Sequence, residues 1–121
     1  MQINAIHHLS LIVADTERAL AFYHGLLGLP RAKRPDLDFP GAWLTIGNQQ
    51  LHLLELPNSD PTCGRPDHAG RDRHLALSVE GLDELTARLE EHGVFYTRSS
   101  SGRAAIFCRD PDGNGVELIM G

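Results

Sequence analysis

Along residues 5–14, Leu9, Leu11 and Val13 alternate with His8, Ser10 and Ile12, the period-two pattern of a strand. Asp15 follows as an N-cap whose carboxylate can accept from the free amides of a first helical turn. Ala19, Leu20, Phe22, Tyr23, Leu26 and Leu27 then recur at helical spacing, and Gly28 offers a left-handed stop. Residues 41–47 and 50–56 read as two strands joined by a tight turn at Gly47-Asn48. The stretch from Pro57 to Arg71 is rich in Pro, Gly, Asp and Asn and reads as a linker. The order then restarts. Residues 73–79 predict a strand, and 82–92 a helix with Leu82, Leu85 and Leu89 on one face and Gly93 as its stop. Short strands follow near 94–98 and 103–108. Asp110-Pro111-Asp112-Gly113 makes a turn, and residues 115–120 form the last strand. The chain therefore reads as α+β, with a βαβββ module repeated: module one about 3–57, linker about 58–71 and module two about 72–121.

The repeat carries chemistry. His8 opens the first strand of one module and His74 that of the other, while His52 and Glu117 sit between apolar neighbours on the closing strands. The offsets nearly agree, since 74 minus 8 is 66 and 117 minus 52 is 65. Alternation puts all four side chains opposite the more apolar face of their strand, and pseudo-symmetry could gather them as a site for a first-row divalent ion. Glu117, flanked by Val116, Leu118 and Ile119, is costly to bury unless paired or metal-bound. His52 is equally readable as a half-buried structural histidine. His7, His24, His68 and His92 share no face with the four and read as surface residues. Trp43, Phe39, Tyr96 and Phe107 read as core. Arg71, Arg73, Arg98 and Arg103 could hold an anionic substrate, though most arginines are simply solvated.

Bulk properties narrow the partners. A net charge of −5, without a Lys/Arg cluster, offers no electrostatic footprint for nucleic acid. No apolar run is long enough for a membrane helix, and Met1–Ala5 does not resemble a signal peptide. Cys63 and Cys108 lie far apart and read as free thiols of a cytoplasmic protein.

Taken together, several motifs resemble the vicinal oxygen chelate superfamily of glyoxalases, bleomycin-resistance proteins, thiol transferases and extradiol dioxygenases. They are His8-Leu-Ser-Leu-Ile-Val-Ala-Asp15, Ala21-Phe22-Tyr23 with Leu27-Gly28-Leu29, His74-Leu-Ala-Leu-Ser-Val79, His92-Gly93-Val94, and Asp110-Pro-Asp-Gly113 leading to Val116-Glu117-Leu118. The resemblance implies curled mixed sheets forming a metal-binding cup, with His8, His52, His74 and Glu117 as ligands of one divalent ion (Fe, Mn, Zn, Ni or Co). It also implies a homodimer and a small substrate that chelates the ion through neighbouring oxygens. The position of His52 is usually Glu or Gln in glyoxalase-like and epimerase-like members, where a carboxylate can move the substrate proton. His52 is accordingly a fourth ligand or a catalytic base. A glyoxalase-like lyase or isomerase is the leading expectation. The alternatives are a dioxygenase or thiol transferase of the same superfamily, or a metal-free small-molecule-binding or resistance protein.

Overall fold

The computed structural model describes residues 1–121. The chain divides into two compact units, Met1–Ser59 and Asp60–Gly121. Each is built around one four-stranded mixed sheet.

In the first unit β1 (His8–Val13) is followed by α1 (Thr16–Leu20), which runs directly into a π-helical stretch over Ala21–Leu26. The short β2 (Arg31–Ala32), β3 (Gly41–Ile46) and β4 (Gln49–Glu55) complete it. Asp15 caps α1 as its position predicts, its Oδ1 accepting from the Arg18 amide at 3.0 Å. The Thr16 amide donates to Glu55 Oε1 at 2.8 Å, tying the start of α1 to the end of β4. Ala19, Leu20, Phe22, Tyr23 and Leu26 are buried. Gly28, at φ 78°, ends the helical run as expected. Sheet order is β1-β4-β3-β2, with β1 parallel to β4 and the other pairs antiparallel.

The second unit repeats this order. Here β5 (His74–Val79), α2 (Leu82–Glu91), β6 (Tyr96–Arg98), β7 (Ala105–Arg109) and β8 (Gly115–Met120) form a sheet ordered β5-β8-β7-β6. Leu82 and Leu89 of α2 are buried. Both sheets place the closing strand of the unit beside its opening strand, in parallel. That adjacency brings the two ends of each βαβββ sequence together.

The predicted elements differ from these mainly at their ends. The first strand begins at His8 rather than residue 5, although the His7 carbonyl still accepts from the Gln50 amide at 3.3 Å. The two-residue β2 escapes a periodicity reading because it is too short to alternate. The segment read as a linker contains a 3₁₀ turn, Ala69–Arg71. It is also tied into the second unit by ion pairs from Arg65 to Asp72 and from Arg73 to Asp60.

Candidate functional site

One row of register partners crosses each sheet. In the first unit it runs Ser10, His52, Trp43, Ala32. In the second it runs Ala76, Glu117, Phe107, Thr97. Register partners share a sheet face, so His52 and Glu117 occupy corresponding places, each beside an aromatic residue of the third strand in its unit. His8 and His74 stand two residues before Ser10 and Ala76 on the opening strands, and so on the same faces. The repeat seen in the sequence is thus a repeat of side-chain position within each unit. Neither unit by itself gathers three or more His, Cys, Asp or Glu residues around a common point.

In the first unit the pair is His8 with His52. Their rings stack at 4.1 Å between centroids and 20° between planes. Trp43 covers the His52 ring as well, at 4.0 Å and 5°. Trp43, read from the sequence as core, is half-buried and serves as this stacking surface. His52 Nε2 lies 2.9 Å from Gln50 Oε1. That oxygen can only accept, so Nε2 carries the ring proton and Nδ1 keeps the lone pair. His52 is 7% exposed, and burial lowers its pKa, helped by the nearby positive charges of His8, His7 and Arg34. The neutral imidazole is therefore the favoured form. His8 shares a hydrogen bond with His7 between their Nδ1 atoms at 2.9 Å, which leaves Nε2 as the other ring nitrogen.

In the second unit His74 meets Glu117. His74 Nδ1 lies 2.8 Å from the Asp72 carbonyl oxygen, which fixes the proton on Nδ1 and the lone pair of the neutral ring on Nε2. That Nε2 lies 3.2 Å from Glu117 Oε1. A lone pair facing a carboxylate needs a cation between them or a proton on one of them. Glu117 is 4% exposed, and its other oxygen has only Arg103 Nη2, at 3.4 Å. Both contacts exceed the ~2.7–2.9 Å of a well-formed charge-assisted bond. A histidine whose second nitrogen donates to a backbone carbonyl is the usual arrangement of a metal ligand. Imidazole nitrogen with carboxylate oxygen also suits a first-row divalent ion. On donor chemistry, His74 and Glu117 fit the metal that the superfamily implies.

Asp72 is itself held firmly. Its carboxylate accepts from Arg65 Nε at 2.7 Å and Nη2 at 3.0 Å, from Arg109 Nη1 at 3.0 Å and from the Arg73 amide at 2.9 Å. The Arg65 guanidinium, with Arg109, keeps this carboxyl well below the usual carboxylate range. Arg109 Nη1 also donates to the Gly113 carbonyl at 2.8 Å, joining Asp72 to the Asp110–Gly113 turn. Within that turn Asp110 Oδ1 accepts from the amides of Asp112 and Asn114, both at 2.9 Å. Gly113 adopts φ 82°. The turn sets where β8 starts, and hence that Glu117 faces Phe107.

His68 is a correction. Read from the sequence as a surface residue, it is half-buried, its Nδ1 2.6 Å from Thr97 Oγ1 and its ring edge-on to Phe107 at 4.9 Å. His74 meets the same Phe107 ring at 5.2 Å. No periodicity could have placed His68, because it lies in an irregular segment. Of the four arginines considered for an anion, Arg103 is the one that contacts Glu117; Arg73 pairs with Asp60.

Duplicated βαβββ units, with histidine on both opening strands and a candidate ligand on both closing strands, define a protein of the vicinal oxygen chelate type. The family model described as the Glyoxalase/Bleomycin resistance protein/Dioxygenase superfamily matches residues 5–118, and the chain belongs to that superfamily. It is 31% identical over 122 residues to glutathione transferase FosA of Serratia marcescens, covering 98% of this chain and 82% of that protein. Lactoylglutathione lyase of Salmonella typhimurium is 29% identical over 120 residues, covering 93% and 89%. Among solved structures, the chain superposes on TnmS3, an antibiotic binding protein from Streptomyces sp. CB03234. The TM-score is 0.75 at 25% identity, covering 99% of this chain and 98% of that one. No helix is long and apolar enough to cross a membrane.

Proposed function

We propose that this chain is a small metal-dependent enzyme, a glyoxalase-like lyase or isomerase whose substrate chelates one divalent ion through neighbouring oxygens. By the superfamily resemblance His8, His74 and Glu117 are the candidate metal ligands, of which His74 and Glu117 meet within one unit, and His52 is the candidate proton-transfer residue. The observation that carries the reading is the His74–Glu117 pair, with Nε2 3.2 Å from the buried carboxylate and Nδ1 2.8 Å from the Asp72 carbonyl oxygen. A bound ion supplies a Lewis acid for developing oxygen charge. The residues around it do the rest. The Asp72 carbonyl accepts from His74 Nδ1 and so turns Nε2 toward Glu117, and the Arg65 and Arg109 bonds to the Asp72 carboxylate anchor that residue.

His52 is given the base role rather than that of fourth ligand. Its ring stacks flat against His8 and Trp43. Held neutral by burial, with Nε2 committed to Gln50, it can take a proton at Nδ1. The relative named as a lyase supports this class of reaction, and the relative named as a glutathione transferase supports a thiol-bearing co-substrate. On the superfamily resemblance alone, the proposal includes pairing of two copies as a homodimer. The thiols Cys63 and Cys108, both free, suit the cytoplasm.

A second reading, metal-free sequestration of a flat small molecule, is favoured by the Trp43–His52–His8 stack and by the likeness to an antibiotic binding protein. Metal analysis of protein purified without an affinity column for metals, followed by Mn(II) titration after chelator treatment, separates the two. The enzyme reading predicts about one ion per chain and a loss of affinity on the order of ten-fold or more in Glu117→Gln. Absence of metal, with none taken up on titration, contradicts it.

A further inference from the structure

The loop between β6 and β7 sends one charged side chain to the buried end of the candidate site. Arg103 is held there at two points: its Nε donates to Ser101 Oγ at 3.1 Å, and its Nη2 reaches Glu117 Oε2 at 3.4 Å. The Arg103 side chain is 57% exposed while that of Glu117 is 5% exposed, so a largely solvated guanidinium serves a desolvated carboxylate. The other Glu117 oxygen lies 3.2 Å from His74 Nε2, and an imidazole carries charge only when protonated. Arg103, whose guanidinium is always charged, is the permanent cation at Glu117.

We infer that Arg103 is a displaceable counter-ion: it neutralises Glu117 when no metal is bound and competes with the metal for that carboxylate. The inference rests on the metal reading above. Its physical basis is simple. A carboxylate this buried needs a positive neighbour, and Arg103 supplies one without being sequestered itself. A divalent ion on the same carboxylate would meet a like charge within a few ångströms and make the guanidinium redundant as a partner. Metal and Arg103 are then antagonists, and the coupling is reciprocal. The long contact and the largely exposed side chain suit a partner that leaves readily, its Nε contact to Ser101 being replaceable by water. Arg103 so acts through Glu117, as a residue that sets metal affinity.

The test combines Mn(II) binding with the stability of the metal-free protein. Arg103→Ala is expected to bind Mn(II) more tightly than the wild type, on the order of five-fold, as expected for losing one competing surface ion pair. After chelator treatment Arg103→Ala is expected to melt about 3 °C lower than wild type, and that deficit is expected to vanish when Arg103→Ala is made in a Glu117→Gln background. Equal or weaker Mn(II) binding by Arg103→Ala overturns the competition. A melting deficit that persists with Glu117→Gln overturns the pairing itself. If neither wild type nor Arg103→Ala binds Mn(II), the metal reading falls and the displacement falls with it, while the melting comparison still reports on the ion pair separately.

Discussion

At the scale of single residues, the chemistry depends on which atoms have their protons assigned by neighbours. His74 has its proton fixed by a carbonyl, and His52 by an amide oxygen. The same reasoning separates the two cysteines. Cys108 is buried, and burial, assisted by the Asp110 charge, pushes its thiol up to about 12. Cys63 is exposed. A thiolate reagent at pH 8 is therefore expected to label one thiol per native chain and two once the protein is unfolded. Rapid native labelling of both would contradict the packing around β7. Which residues were candidates was legible in the sequence, because alternation alone places His8, His52, His74 and Glu117 opposite their apolar neighbours. Their partners were not. Trp43 against His52, Arg103 on Glu117 and the Asp72 carbonyl behind His74 depend on register and loop geometry, which a period-two pattern leaves open.

At the scale of elements, the two closing strands are set by what precedes them. The Asp110–Gly113 turn was readable from its composition, since Pro and Gly at those places restrict the turn type. Its link through Arg109 to Asp72 was not readable, because the two are far apart in sequence. Gly113 combines a left-handed φ of 82° with no room for a side chain, since an added Cβ would come 2.5 Å from the Thr62 carbonyl oxygen. Gly113→Ala is expected to lose about 1–3 kcal/mol of stability in denaturant melts. It should also weaken metal binding by shifting β8. A loss within experimental error would show that the turn is more pliable than its geometry implies. The π-helical stretch after α1 and the two-residue β2 were beyond the pattern for a different reason. Helical spacing does not distinguish α from π over one or two turns, and two residues cannot show a period.

At the scale of the whole chain, duplication explains most of what could be foreseen. Each unit closes its sheet by laying its last strand parallel to its first, so residues far apart in sequence become neighbours twice, in the same relative places. The two copies have diverged in their chemistry. One carries a stacked pair of imidazoles under an indole, and the other an imidazole facing a buried carboxylate. In the register of the two sheets His52 stands beside Trp43 where Glu117 stands beside Phe107 in the second unit. The central claim concerns the more conventional pair. It is tested most directly by a crystal structure of Mn(II)-loaded protein with anomalous difference density. The account predicts a single strong peak bonded to His74 Nε2 and a Glu117 carboxylate oxygen, with Arg103 turned away. An ion bound elsewhere, or His74 and Glu117 still paired at 3.2 Å in crystals saturated with metal, would contradict it.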